Sequence, residues 1–300
     1  MKDKVIYLLM SFCFMKGEKM DYWIWFSTLK INPRKKIKLL EILETPEKIY
    51  KLTEKDLNEI KSIDLEIYYE INKNKDTILN ARMKEYMNKN GIKYITIYDD
   101  FYPDKLKNIY DPPVMLFYKG NINIINNKNI AIVGARKASQ YGIKMAYNIS
   151  KELSNKYTIT SGLAAGIDSA SHKGSVNSCN STIAVIGSGL DYIYPKENTV
   201  LYNQIFKKGL VLSEYPVGMR PLPTNFPARN RIISGLSDGV IVVEAPQKSG
   251  SLITADFALE QGKNVYAVPG NIDSTLSYGT NELIKSGAIP YTCIEDIIEN

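Results

Sequence analysis

Beyond Gly120 the chain alternates six short β-branched or apolar runs with stretches of helical character. The runs are Ile130–Val133, Thr158–Thr160, Thr182–Ile186, Leu210–Leu212, Val240–Val243 and Asn264–Val268. Strands apolar along their whole length must be covered on both faces, which a parallel sheet between two helix layers provides. The alternation therefore predicts an α/β fold built on a doubly wound, mostly parallel sheet. Upstream, Tyr94–Pro103 and Pro112–Tyr118 read as an extra strand pair packed on that sheet.

The preceding segment has another character. From Met20 to Gly91 it is rich in Lys, Glu, Ile and Leu and almost without glycine. Apolar positions recur at helical spacing, as in Leu57, Ile60, Ile63 and Ile67, and Thr53 with Asp56 three residues on reads as a helix start. A small all-helical domain over 20–92 followed by an α/β domain over 93–300 is expected. The basic run Arg34–Lys38 reads first as a solvated charged face. Residues 1–19 read as an N-terminal extension: the apolar run Val5–Met15 is too short to span a bilayer and precedes no small-residue cleavage site. No membrane association is expected.

The charge balance, 38 Lys+Arg against 32 Asp+Glu, permits a polyanionic partner without demanding one. Three scattered cysteines, Cys13, Cys179 and Cys293, argue against a disulfide framework or a zinc site, and suit a reducing cytoplasm. A single histidine, His172, removes multi-histidine metal centres. No cofactor or metal is expected.

In an open parallel sheet, ligands sit beyond the carboxyl ends of the strands, so the strand-to-helix junctions carry the chemistry. The first holds Gly134, Arg136, Lys137 and Ser139, and the second Ser161, Gly162, Gly166 and Asp168. The third holds Gly187, Gly189, Asp191, Tyr194, Lys196 and Asn198. The fourth runs from Ser213–Gly218 to Phe226, Arg229, Asn230 and Arg231, and the fifth holds Glu244, Lys248, Ser249, Gly250 and Ser251. Each glycine alone is routine in this architecture. Together they place cations, rings and glycine-amide nests on one rim, which suits phosphates on the nests and bases on the rings. Arg229 and Arg231 read equally as phosphate contacts or as partners of a carboxylate such as Glu214. Phe226 reads as a core or loop anchor before a base platform, and His172 as a packing residue before a ligand.

Absent motifs narrow the choice. There is no G-x-x-x-x-G-K-[ST] string, and neither Gly134 nor Gly187 opens a full dinucleotide fingerprint. The G-x-S-x-G string Gly235–Gly239 runs into a strand instead of leaving one, so it reads as a helix end and turn. Asp168, Asp191, Glu214 and Glu244 read as caps or arginine partners, since nothing pairs them as acid and base.

The ordered junctions resemble the DNA processing protein A family, also called Smf. The resemblance rests on Gly134-Ala-Arg136 with Ser139 and Tyr141-Gly142, Ser161–Asp168 with Ala170 and His172, Thr182–Asp191 with Tyr194-Pro195 and Asn198, and Leu212–Pro216. It continues through Phe226–Ser237, Lys248–Thr254, Pro269-Gly270 and Gly279–Asn281. It implies an extended Rossmann-like domain and a non-catalytic protein that binds single-stranded DNA, shields incoming strands in natural transformation and loads the RecA recombinase. It further implies a homodimer, with single-strand-binding protein as an additional partner. The family's usual helical domain carries a Gly-rich hairpin where this sequence has Ile31–Lys36, and no C-terminal winged helix is expected in a chain ending at Asn300. The alternative is a phosphoribohydrolase of the lysine-decarboxylase-like fold, whose fifth junction is similar; there Thr254 stands where the catalytic Glu belongs.

Overall fold

The structure, a computed structural model, describes residues 20–60, 64–178 and 181–298; the stretch 1–19, Ile63 and Cys179 lie outside these. The chain forms two compact units, one ending at Lys93 and the other beginning at Tyr94.

In the first unit, helices span Tyr22–Thr28, Pro33–Leu43, Pro46–Tyr50, Glu54–Glu59, Leu65–Lys73 and Thr77–Asn90. Short polar side chains start them. Asp21 accepts from the Trp23 and Ile24 amides at 3.1 and 3.2 Å, and Asn32 accepts from Arg34 at 2.9 Å ahead of Pro33 at the first helical position. At the expected start near Thr53, the backbone N–H and hydroxyl of Thr53 both donate to the Asp56 carboxylate, at 2.7 and 2.8 Å. Ile24, Trp25, Phe26, Leu39, Leu40, Ile49 and Ile71 form the fully buried centre. The basic run is broken up by this packing. Lys36 is buried with its ammonium 5.4 Å from the Phe26 ring centroid, and Lys35 pairs with Asp64 at 3.0 Å.

The second unit is built on a nine-stranded sheet of order β1-β2-β6-β5-β4-β3-β7-β8-β9. The strands are β1 (Lys93–Thr96), β2 (Met115–Gly120), β3 (Asn129–Val133), β4 (Thr158–Ser161), β5 (Thr182–Ile186), β6 (Leu210–Ser213), β7 (Gly239–Val242), β8 (Asn264–Ala267) and β9 (Ile289–Pro290). From β6 to β9 the pairing is parallel, and every residue of β3 to β7 is buried, as their composition requires. The upstream strand pair does not pack on the sheet. It extends it, with β2 antiparallel to β6 and Phe117 opposite Ser213.

Successive right-handed crossovers from β3 to β6 put the helices Gln140–Leu153, Ile167–Val176 and Thr199–Lys208 on one face. The chain then crosses back beyond β3, and Asn225–Leu236 and Gly250–Glu260 pack together on the other. Gly235–Gly239 is indeed the end of one of these helices and the turn into β7. The strand order thus reverses between β3 and β7, which opens a crevice at their carboxyl ends.

Candidate functional site

A cavity of about 660 Å³ occupies that crevice. The loop after β3 forms one wall, the loop after β7 another, and the first turns of Asn225–Leu236 and Gly250–Glu260 close it. Arg136, Lys137 and Lys248 are exposed on its lining. The Arg136 guanidinium carbon lies 5.1 Å from the centroid of the half-buried Phe226 ring, within cation–π range. Phe226 in turn meets Tyr194, with centroids 5.5 Å apart and planes tilted by 38°, and Tyr194 is 49% exposed. A cation and two rings therefore form a continuous row. Gly187 permits it: a Cβ there would stand 3.0 Å from the Phe226 ring. The Phe226 ring is thus held, half-buried, between Arg136 and Tyr194. Beyond Tyr194-Pro195, Lys196 is exposed at the start of a short 3₁₀ turn.

Several loops differ from the expected phosphate nests because the chain's own carboxylates already engage amides there. After β3, the Ser139 amide donates to Glu244 at 2.9 Å, and the Ser139 hydroxyl also bonds that carboxylate while accepting from Gly142. After β4, Asp168 accepts from the amides of Gly162 and Ala164 at 3.2 and 3.3 Å. Asp191, in the loop after β5, accepts through both oxygens at 3.0 Å from Gly218 of the loop after β6, and Gly189 donates to the Met219 carbonyl. Burial pushes the Asp168 carboxyl up, against the opposing pull of Arg229 and the two amides. Ser161 and Asn198 are likewise buried. The Ser161 hydroxyl donates to the Ile132 carbonyl, and Asn198 donates to Leu163 O and Ser169 Oγ. These residues order the loops and do not present themselves to a ligand.

Gly134 and Gly166 serve close approach. A Cβ on Gly134 would meet Ile167 at 2.6 Å, and Gly166 combines φ +77° with a carbonyl, that of Ala135, 2.3 Å from where its Cβ would lie. The fifth junction is different. Ser249 accepts from the Ser251 amide at 3.3 Å and bonds its hydroxyl at 2.7 Å, but no carboxylate caps this helix start among the described hydrogen bonds. Gly250 is exposed and a Cβ there would meet nothing within 4 Å. Here the first turn is open to an anion.

The two arginines of the fourth junction separate, because positions two apart face opposite sides of a helix. Arg229 lines the cavity floor, buried, and donates to the carbonyls of Gly162, at 2.7 Å, and Val185. Burial pushes its pKa down to about 10. Asn230 accepts from Arg229 Nε at 3.2 Å and donates to Gly250 O at 3.0 Å, tying this helix to the open one. Arg231 leaves the group altogether: it is bidentate to Glu214 at 2.7 and 2.9 Å and pairs with Asp111 at 3.0 Å. The carboxylate reading of Arg231 is the one its geometry supports. Arg220, which sequence reasoning passed over, is exposed on the loop after β6 beside the Gly189–Met219 tie. Its signal was a cation two residues beyond Gly218, within the span of the fourth junction.

His172 is fully buried, with Nδ1 2.7 Å from Thr182 Oγ1. Thr182 gives its own proton to the Ile159 carbonyl, so Nδ1 is the protonated nitrogen. Among the described residues no group of three or more His, Cys, Asp or Glu could hold a metal, and no helix is long and apolar enough to cross a membrane.

Comparison with known proteins agrees with this architecture. The profile described as DNA recombination-mediator protein A matches residues 93–300. The DNA processing protein DprA of Streptococcus pneumoniae is 49% identical over 203 residues, covering 68% of this chain and 72% of that protein. Its counterpart in Bacillus subtilis is 46% identical over 211 residues, 70% of this chain and 71% of that one. The solved DNA processing protein A of Streptococcus pneumoniae superposes with a TM-score of 0.81 at 39% identity, covering 94% of this chain and 98% of that one. That of Helicobacter pylori, solved to describe its single-stranded DNA binding mode, gives 0.63 at 32% identity over 69% and 94%. The profile spans the whole sheet-bearing unit, and on that ground this chain belongs to the DNA recombination-mediator protein A family.

Proposed function

We propose that this protein binds single-stranded DNA across the carboxyl edge of its sheet, shields the strand and presents it to the RecA recombinase. The observation that carries the reading is the row Arg136–Phe226–Tyr194, flanked by Lys137, Lys196 and Lys248. These four cations form no ion pair among the described residues. Phosphates would sit on Arg136, the lysines and the open turn Ser249–Ser251, and bases on the exposed ring of Tyr194. The Helicobacter pylori relative, with its single-stranded DNA binding mode, supports the same assignment. Work in the cytoplasm as a homodimer, with single-strand-binding protein as a further partner, belongs to this reading through the family. So does the absence of catalysis: Glu244, Asp191 and Glu214 are engaged by amides or arginine, and Thr254 lines the cavity where the related hydrolases would need an acid.

Fluorescence anisotropy with a labelled single strand and its duplex, beside a nucleotide-hydrolysis assay, tests the proposal. Tighter binding of the single strand is expected, with log K falling against log[salt] by about 0.7 per phosphate neutralised. Equal affinity for duplex, a flat salt response or nucleotide turnover would overturn it.

A further inference from the structure

The solvent face of the helix Gln140–Leu153 has no part in the site described so far, although it begins three residues after Lys137. Tyr141, Lys144, Asn148 and Lys151 are all exposed, and Tyr141 is 53% exposed. At 100° per residue they fall within one quadrant of the helix, so they form a single outward row. The row runs from the Arg136–Lys137 loop toward a second hollow of about 410 Å³, lined by Asn148, Lys151, Glu152, Asn155, Asn177 and Ser178. Neither Lys144 nor Lys151 makes an ion pair among the described residues. The helix's one acid, Glu152, is exposed at the far end, 100° round the helix from Lys151, and lines the same hollow. What remains is a ring, a cation, an amide and a second cation in order, with the cations about 10 Å apart along the axis.

We infer that this face is the continuation of the strand's path: single-stranded nucleic acid leaving the crevice at Arg136–Lys137 runs down the helix, with phosphates on Lys144 and Lys151 and a base against Tyr141. The inference rests on the proposed reading of the crevice and adds a second segment to it. Three features fit a polyanion with exposed bases: charge complementarity, the interleaved ring, and direct continuity of the row with the exposed cations of the first loop. The amides of Asn148, Asn155 and Asn177 offer both donors and acceptors to base edges without selecting one base.

The test compares the full-length protein with the double variant Lys144→Gln, Lys151→Gln on oligothymidylates of 6 and 24 nucleotides, measured by anisotropy across a salt series. Both positions are exposed and glutamine keeps helix propensity, so the fold is retained. On the 24-mer the salt slope of the variant should be shallower by about 1.4, two phosphates at about 0.7 each. On the 6-mer, which fills only the crevice, the slopes of the two proteins should coincide. An unchanged slope on the 24-mer, or an equal drop on both lengths, would overturn the second segment while leaving the crevice reading intact. Failure of the unmodified protein to bind either oligonucleotide would instead overturn the crevice reading, and this inference with it.

Discussion

Replacing Arg136 by alanine separates the exposed machinery from the buried scaffold most sharply. The guanidinium is exposed on the cavity lining and touches the protein chiefly through the Phe226 ring. Loss of an exposed cation–π contact costs about 0.5–1 kcal/mol. For a unit of this size that lowers the melting temperature by only about 1–4 °C. Loss of a charge-assisted hydrogen bond to phosphate costs more, about 1.5–3 kcal/mol of binding. That corresponds to a dissociation constant raised by roughly 10- to 150-fold. Anisotropy titrations with a labelled oligothymidylate read the loss of binding, and thermal melts of the same samples read the loss of stability. The salt slope should become shallower by about 0.7, one phosphate fewer. Arg136→Lys should recover the slope but only part of the affinity, because an ammonium lacks the planar fork. A variant that bound like wild type, or one that unfolded, would refute the assignment.

Arg231→Met should do the reverse. It strands Glu214 and Asp111, which keep partial contact with water, so it should cost about 3 kcal/mol in urea denaturation, the low end for a broken buried pair. Its folded fraction should bind DNA normally. Gly166→Ala forces a left-handed backbone onto a residue with a Cβ and drives that atom against Ala135 O; the backbone alone should cost about 1–3 kcal/mol in the same assay. Burial pushes His172 down to about 3, so between the ordinary value near 6.5 and that point only the unfolded chain takes up the proton. Stability should therefore fall as pH drops, by about 2 kcal/mol from pH 6.5 to 5. As the chain's only histidine, its imidazole NMR signal can be followed directly, and a folded-state midpoint near 6.5 would refute the burial argument.

The strands of the sheet were legible because burial on both faces leaves a local mark: Thr182–Ile186 was read to the residue, and the other five within one residue at either end. The two-residue β9 carries no such mark. In the site, Arg136, Lys137, Tyr194, Lys196 and Lys248 stood where the junction rule put them. The carboxylates seated on loop amides were not legible, because a glycine loop looks the same whether it awaits a phosphate or already holds a carboxylate. Glu244 lies 105 residues from Ser139, and nothing local announces their meeting. Arg229 and Arg231 show the same limit. Which of two neighbouring arginines is buried, and against what, depends on elements that pack on their helix from elsewhere in the chain.

The carboxylates lodged in the loops also bear on how a strand lets go. A surface with empty amide cradles would seize single phosphates, and the abundant free nucleotides of a cell would occupy it. With Glu244 and Asp168 already seated on amides after β3 and β4, those two loops are not empty cradles among the described residues. Under the proposed function, grip on a strand would then come from many contacts in series, the open turn Ser249–Ser251 among them, each of which can open while its neighbours hold. A strand held this way can be peeled from one end, a few nucleotides at a time, by whatever next takes possession of it.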